Sequence, residues 1–103
     1  MIDIEEKHLI EIKRILSEQV PDCEVRAFGS RVEGKAENFS DLDLVLISNE
    51  KLDRRRIERL KDAFAASNLP MTVDVIDYNS VSREFQQIIN KQYEVIRESS
   101  GKV

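Results

Sequence analysis

The feature that most constrains the fold of this 103-residue sequence is the segment at residues 41–48, Asp-Leu-Asp-Leu-Val-Leu-Ile-Ser. A near-continuous apolar run of this length is typical of a central strand covered on both faces. Residues two apart on a strand share a face, so Asp41 and Asp43 project together while Leu42 and Leu44 point to the other side. Two carboxylates about 6.7 Å apart repel by about 2.5 kcal/mol at an effective dielectric of about 20, so the pair needs cations, donors or solvent.

The remaining periodicity predicts helices and strands around this strand. Leu9, Ile12 and Leu16 recur at helical spacing ahead of Pro21, and Ile57 begins a second helical stripe that ends before Pro70. The predicted elements are a helix near residues 4–19, a strand at 24–28, the strand at 41–48, a helix from 52 to about 68, a strand at 71–78 and a last helix capped by Asn79 or Ser80. This order predicts a layered α/β (α+β) fold with helices packed against a small, mostly buried sheet.

The last helix is predicted to run through residue 96, with a buried stripe formed by Phe85, either Ile88 or Ile89, and Ile96. Tyr93, Val95 and Ile96 cannot all lie on the one buried face of such a helix. We therefore expect an exposed apolar patch on this helix that contacts a second copy or a partner protein.

Composition limits the class of protein. With 16 Lys and Arg against 20 Asp and Glu, the net charge of -4 opposes broad binding to a nucleic-acid polyanion. The single cysteine, Cys23, excludes an internal disulfide and fits a reducing cytoplasm. The N-terminal residues lack the pattern of a signal peptide, and the longest apolar run is at residues 44–47, so no membrane segment is expected. The length predicts a single domain over residues 1–103.

A third acid occupies an apolar strand. Asp74 interrupts Thr-Val-Asp-Val-Ile at residues 72–76, and if this strand neighbours the one that begins at Asp41, the carboxylates converge. Clusters of carboxylate oxygens suit Mg²⁺, with the phosphates of a substrate completing the octahedron. Asp77 is the competing third carboxylate, but it points to the opposite face of the strand, so Asp74 is preferred.

A phosphate-binding turn is predicted upstream, where Gly29, Ser30 and Arg31 follow a strand. Glycine lets the backbone approach an anion closely, serine offers an amide and a hydroxyl, and the start of a short helical turn favours phosphate. Arg31 adds a charged fork for the phosphates.

These two motifs together resemble a known family. The Gly-Ser pair at 29–30 precedes the Asp-x-Asp at 41–43 by ten intervening residues, a spacing that resembles the signature of the nucleotidyltransferase superfamily that includes DNA polymerase beta. The wider strings, Gly-Ser-Arg-Val-Glu-Gly-Lys-Ala at residues 29–36 and Ser-Asp-Leu-Asp-Leu at 40–44, resemble the minimal nucleotidyltransferase (MNT) domains. The resemblance extends over residues 25–77.

The resemblance implies a nucleotidyltransferase fold, a small mixed sheet packed against about four helices, and an Mg²⁺-dependent enzyme that uses ATP or another nucleoside triphosphate. It implies that two Mg²⁺ ions are held by the acids and that the third acid orients and helps to deprotonate the acceptor. The implied catalytic and metal-binding residues are Asp41, Asp43 and Asp74, and the implied nucleotide-binding residues are Gly29, Ser30 and Arg31.

The resemblance also implies a partner. MNT domains of this kind are typically encoded beside a helical HEPN-type protein, and several such pairs are toxin and antitoxin, with AMP transferred from ATP to a tyrosine of the toxin. We expect no extended nucleic-acid template, because a chain of this length has no room for a thumb or basic channel. Two alternatives stay open: transfer to a small molecule or RNA end presented by a helical partner, and an antitoxin that acts by contact alone.

Overall fold

The computed structural model describes residues 2–35 and 40–99; the end of the motif at Ala36 lies outside them. The elements in chain order are α1 (Glu6–Gln19), β1 (Glu24–Phe28), α2 (Ser30–Glu33), β2 (Leu42–Ile47), α3 (Arg54–Ala65), β3 (Val73–Asp77), a 3₁₀ turn (Tyr78–Ser80), α4 (Arg83–Lys91) and β4 (Glu94–Arg97). This mixture of helices around one sheet confirms the predicted α/β (α+β) class. Within the described ranges, no helix is long and apolar enough to cross a membrane.

The sheet is mixed, with strand order β3-β2-β1-β4. β2 and β3 run parallel and are joined through α3, as a parallel pair requires a long crossover. β1 pairs antiparallel with both β2 and β4. The end of β1 therefore lies beside the start of β2, and the start of β3 lies on the other side of it, so one end of the sheet gathers these three segments.

Both faces of β2 are covered, which explains its unbroken apolar sequence. Leu42, Leu44 and Leu46 belong to the main core together with the buried residues of α1 and α3. Val45 projects to the opposite face and is fully buried there. On that face α4 contributes the fully buried Ile89 and the edge of the Phe85 ring, whose centroid lies 5.9 Å from that of Phe28 on β1. Helices thus sandwich the sheet, as predicted.

The prediction for the last helix was wrong beyond residue 91. The helix begins after Ser82, whose hydroxyl oxygen accepts from the amide of Phe85, rather than after Asn79 or Ser80. It ends at Lys91, and the chain then pairs with the free edge of β1 as β4. A strand suits the β-branched Val95 and Ile96, because alternation leaves Ile96 buried and Val95 exposed.

The expected apolar patch is correspondingly rearranged. Ile96 is buried in the core, whereas Tyr93 and Val95 are exposed on and beside β4, and the guanidinium of Arg26 covers the Tyr93 ring at 4.3 Å from its centroid. On α4 it is Ile88 that is exposed. The structure therefore selects Ile89 over Ile88 for the buried stripe.

Candidate active site

The parallel register of β2 and β3 brings two of the predicted acids together. Asp43 is paired directly with Asp74, so both side chains project from the same face of the sheet on neighbouring strands. Asp41 lies just before β2, where the amide of Leu42 donates to the carbonyl of Thr72 at 2.9 Å and begins the ladder between the two strands. Asp41 and Asp74 are exposed and Asp43 is half-buried.

The charges of these acids act on one another. Burial raises the pKa of the Asp43 carboxyl above its usual range, and the negative charges of Asp74 and then Asp41 raise it further. Negative charge is therefore concentrated around Asp43. A bound cation would reduce the repulsion between these carboxylates.

Gly29 approaches this cluster from β1, whose last residue, Phe28, is paired with Asp43. Gly29 has φ 83° and ψ −158°, a conformation that residues with a side chain rarely adopt. A Cβ added to Gly29 would overlap the Asp43 carboxylate oxygen Oδ2 and lie 3.4 Å from its Cγ. The sequence predicted glycine here for approach to an anionic substrate; the structure adds that the same glycine leaves room for Asp43.

Ser30 begins α2, the short helical turn predicted after Gly29. The carbonyl of Gly29 accepts from the amides of Val32 and Glu33, both at 3.0 Å, so the turn is closed on itself. Gly34, in the left-handed conformation at φ 77°, ends the turn. Gly29 and Ser30 therefore lie at the same end of the sheet as the three acids.

Arg31 has partners that the sequence did not predict. Its side chain is buried, and its guanidinium donates to the backbone carbonyl oxygens of Ser40 and Asp3. No spacing rule reveals such a contact, because its partners lie 9 and 28 residues away along the chain. The contact of Arg31 with phosphate stays a prediction.

The competing carboxylate, Asp77, has a structural environment. It is buried at the far end of β3, where Oδ2 accepts from the amide of Leu52 at 2.9 Å and from the hydroxyl of Ser80 at 3.0 Å. Oδ1 accepts from the amide of Asn79 at 3.2 Å. Asp77 thus closes the 3₁₀ turn and holds the segment before α3, and the structure places Asp74, not Asp77, alongside Asp43.

The donor set suits a metal that shares its coordination with a substrate. Among the residues that the structure describes, no three His, Cys, Asp or Glu side chains form a group able to hold a metal ion by themselves. Mg²⁺ usually binds one or two carboxylates, several waters and substrate phosphates. The neighbouring carboxylates of Asp43 and Asp74, with the added negative charge of Asp41, fit this coordination.

Comparisons with a family model and with a named protein both identify similarity to nucleotidyltransferases. The family model described as "Polymerase beta, Nucleotidyltransferase" matches residues 10–102. A protein of Haemophilus influenzae named "Probable protein adenylyltransferase MntA" is 49% identical over 102 residues, which make up 99% of this chain and 90% of that protein.

Two solved structures share the fold. A chain from the crystal structure of a toxin-antitoxin with AMP-PNP has a TM-score of 0.74 at 24% identity, covering 90% of this chain and 75% of that one. A chain from the complex of a tri-AMPylated Shewanella oneidensis HEPN toxin with MNT antitoxin has a TM-score of 0.69 at 20% identity, covering 95% of this chain and 76% of the other.

Proposed function

Because the chain belongs to the polymerase beta nucleotidyltransferase family, we propose that it is a protein adenylyltransferase that transfers AMP from ATP to a hydroxyl of a helical toxin, and that it is the antitoxin of that pair. The observation that carries the proposal is the pairing of Asp43 with Asp74 beside the Gly29 turn, in a chain 49% identical to a protein named as an adenylyltransferase. The names of the structural relatives support the partner.

In the proposed reaction, the hydroxyl oxygen of the acceptor attacks the α-phosphorus of ATP. The bond from that phosphorus to the oxygen bridging the α- and β-phosphates breaks, and pyrophosphate leaves. Asp74 lies at the sheet edge, exposed, and takes the role of orienting the acceptor and accepting its proton. Gly29 and Ser30 hold the nucleotide phosphates through the backbone and the serine hydroxyl.

Asp41, Asp43 and Asp74 are the residues proposed to hold Mg²⁺, and two ions are expected. Bound Mg²⁺ supplies neutralisation of phosphate charge and a lower pKa for the attacking hydroxyl. Burial and neighbouring negative charge raise the pKa of Asp43, and a cation would reverse that effect and keep the carboxylate ionised.

The acceptor is proposed to come from another chain. Asp74 lies on an edge strand and is exposed, so the acceptor hydroxyl can reach it from outside the domain. We take residues 1–103 as one domain that works in a complex with its toxin, encoded in an adjacent gene. A cytoplasmic location accords with the use of ATP and with the buried free thiol of Cys23.

The decisive experiment compares the wild-type chain with Asp41→Asn/Asp43→Asn. Each protein is incubated with Mg²⁺, α-labelled ATP and the toxin encoded beside it, and the intact masses of both chains are measured. Asp62→Asn, a neutralisation of an exposed acid on α3, is the matched control. We expect AMP on the toxin with the wild type and the control, and none with the double variant.

The other functions give different results in the same experiment. An antitoxin that acts by contact would bind and silence the toxin equally well as the double variant, without any gain of mass. Transfer to a small molecule or an RNA end would leave the toxin unmodified and move the label to that acceptor. Either result would refute the proposed protein AMPylation.

A further inference from the structure

Arg31 is one of two buried charged residues in the described part of the chain, together with Asp77. Its Nε and Nη2 atoms donate to the carbonyl oxygen of Ser40 at 3.0 and 2.8 Å, and Nη1 donates to the carbonyl oxygen of Asp3 at 2.8 Å. The backbone reinforces the second contact, because the amide of Asp3 donates to the carbonyl of Arg31 at 2.8 Å. Arg31 therefore joins the N-terminal segment, α2 and the segment that enters β2.

The contact with Ser40 bears directly on Asp41. The carbonyl of Ser40 and the amide of Asp41 belong to one planar peptide unit, so a guanidinium that grips this oxygen with two N–H groups orients the peptide leading into Asp41. On the other side, the amide of Leu42 is held by the carbonyl of Thr72. Asp41 lies between two anchored peptide units.

Asp41 depends on such anchors because its side chain is exposed. Packing does not hold an exposed carboxylate, whereas Asp43 is half-buried within the sheet and is in register with both Phe28 and Asp74. The position of the Asp41 carboxylate therefore depends on the geometry of its backbone.

We propose that Arg31 is a positioning residue for Asp41: its guanidinium, braced against the N-terminal segment at Asp3, orients the peptide that carries this metal-binding carboxylate. The inference rests on the proposed function, since it takes Asp41 to be a metal ligand. It differs from the phosphate contact predicted from the sequence. A phosphate contact would act on the binding of ATP, whereas the grip of the planar arginine fork on the Ser40 carbonyl acts on the carboxylate that follows it.

Arg31→Lys separates the two roles. The binding of Mn²⁺ is measured by titration calorimetry on the full-length chain saturated with an ATP analogue that has a methylene group between the α- and β-phosphates and cannot transfer AMP. The titration is run at a temperature where circular dichroism shows each variant folded. AMP transfer gives kcat and the KM for ATP. Arg55→Lys, on the exposed start of α3, is the matched control.

We expect Arg31→Lys to weaken Mn²⁺ binding by about 10-fold or more, the effect typical of residues that orient metal ligands, and to lower kcat while the KM for ATP changes little. Wild-type Mn²⁺ affinity in this variant would overturn the proposal. So would a raised KM for ATP in Arg31→Met at unchanged Mn²⁺ affinity, which is the result expected of a phosphate contact.

A chain without residues 1–3, measured at a temperature where circular dichroism shows it folded, provides a second test that keeps Arg31. It lacks the guanidinium contact to the carbonyl of Asp3, so Mn²⁺ binding should weaken in the same direction but by less than in Arg31→Lys. Unchanged Mn²⁺ affinity would refute the proposed role of the contact between Arg31 and Asp3. If the wild type binds no more Mn²⁺ than Asp41→Asn/Asp43→Asn does, the metal site of the proposed function fails, and the inference fails with it.

Discussion

Substituting Gly29 with alanine tests whether this glycine is required by Asp43 as well as by its own backbone. The conformation at φ 83° and ψ −158° is strained for any residue with a side chain, at about 1–3 kcal/mol. The added Cβ would also overlap Asp43 Oδ2, and displacing a half-buried carboxylate adds about 1–3 kcal/mol, the usual range for overpacking. We expect Gly29→Ala to lower the free energy of unfolding by about 2–6 kcal/mol.

Gly34→Ala is the matched control. Gly34 also has a positive φ, at 77°, but nothing lies within 4 Å of an added Cβ. Its substitution should therefore show conformational strain alone, about 1–2 kcal/mol. The difference between the two substitutions contains the collision with Asp43 and the difference in backbone strain between the two conformations.

Urea unfolding followed by circular dichroism measures both free energies, and a double-mutant cycle isolates the collision. In an Asp43→Ala background, Gly29→Ala should lose only backbone strain, so the coupling energy between the two positions should be about 1–3 kcal/mol. The reasoning is refuted if Gly29→Ala costs the same in both backgrounds, or if it destabilises the protein no more than Gly34→Ala.

Three further predictions concern stability. The raised pKa of Asp43 means that the folded metal-free protein holds this proton more tightly than the unfolded chain does, so stability should fall as pH rises from the ordinary aspartate range through the raised value. Asp43→Asn should remove this dependence in pH-series urea titrations and make the metal-free protein more stable than the wild type at pH 7; a destabilised variant would contradict it. Asp77→Ala removes three hydrogen bonds, from the amides of Leu52 and Asn79 and the hydroxyl of Ser80, so it should lower the free energy of unfolding by about 2–3 kcal/mol. Loss of the exposed N-cap in Asp53→Ala should cost about 1 kcal/mol; equal losses by thermal melting would be evidence against this. Ile89→Ala should cost about 2–4 kcal/mol and Ile88→Ala under about 0.5 kcal/mol, because the first is fully buried and the second is 57% exposed; the reverse order in urea titrations would contradict the packing of α4.

Local sequence patterns were sufficient to predict the helices and strands whose apolar residues recur at a regular period. β1 was predicted with the bounds that the structure has. α1, β2, α3 and β3 were predicted with ends that differ by a few residues, and helix ends depend on caps such as Asp53. β4 was missed. Its four residues, 94–97, form a strand because they pair with the free edge of β1, which lies about 70 residues earlier in the chain. The local sequence does not reveal so distant a partner.

The candidate site divides in the same way. Spacing and strand alternation were enough to predict Gly29, Ser30, Asp41 and Asp43 as site residues and to prefer Asp74 over Asp77, because these inferences use only the local chemistry of turns and the two-residue period of a strand. Their roles stay predictions; the structure adds that Asp74 is the acid paired with Asp43. The assignment of residues 1–103 to a single domain stays a prediction.

The sequence by itself determined which groups are available for chemistry: a glycine turn and acids spaced along two strands. Only the tertiary structure decided how they meet. The parallel register sets Asp43 against Asp74, the close approach of Gly29 depends on pairing between β1 and β2, and Arg31 turns to the carbonyls of Ser40 and Asp3. The physical reason is that periodicity reports which face a side chain occupies, whereas register and buried hydrogen bonds are set by partners distant along the chain.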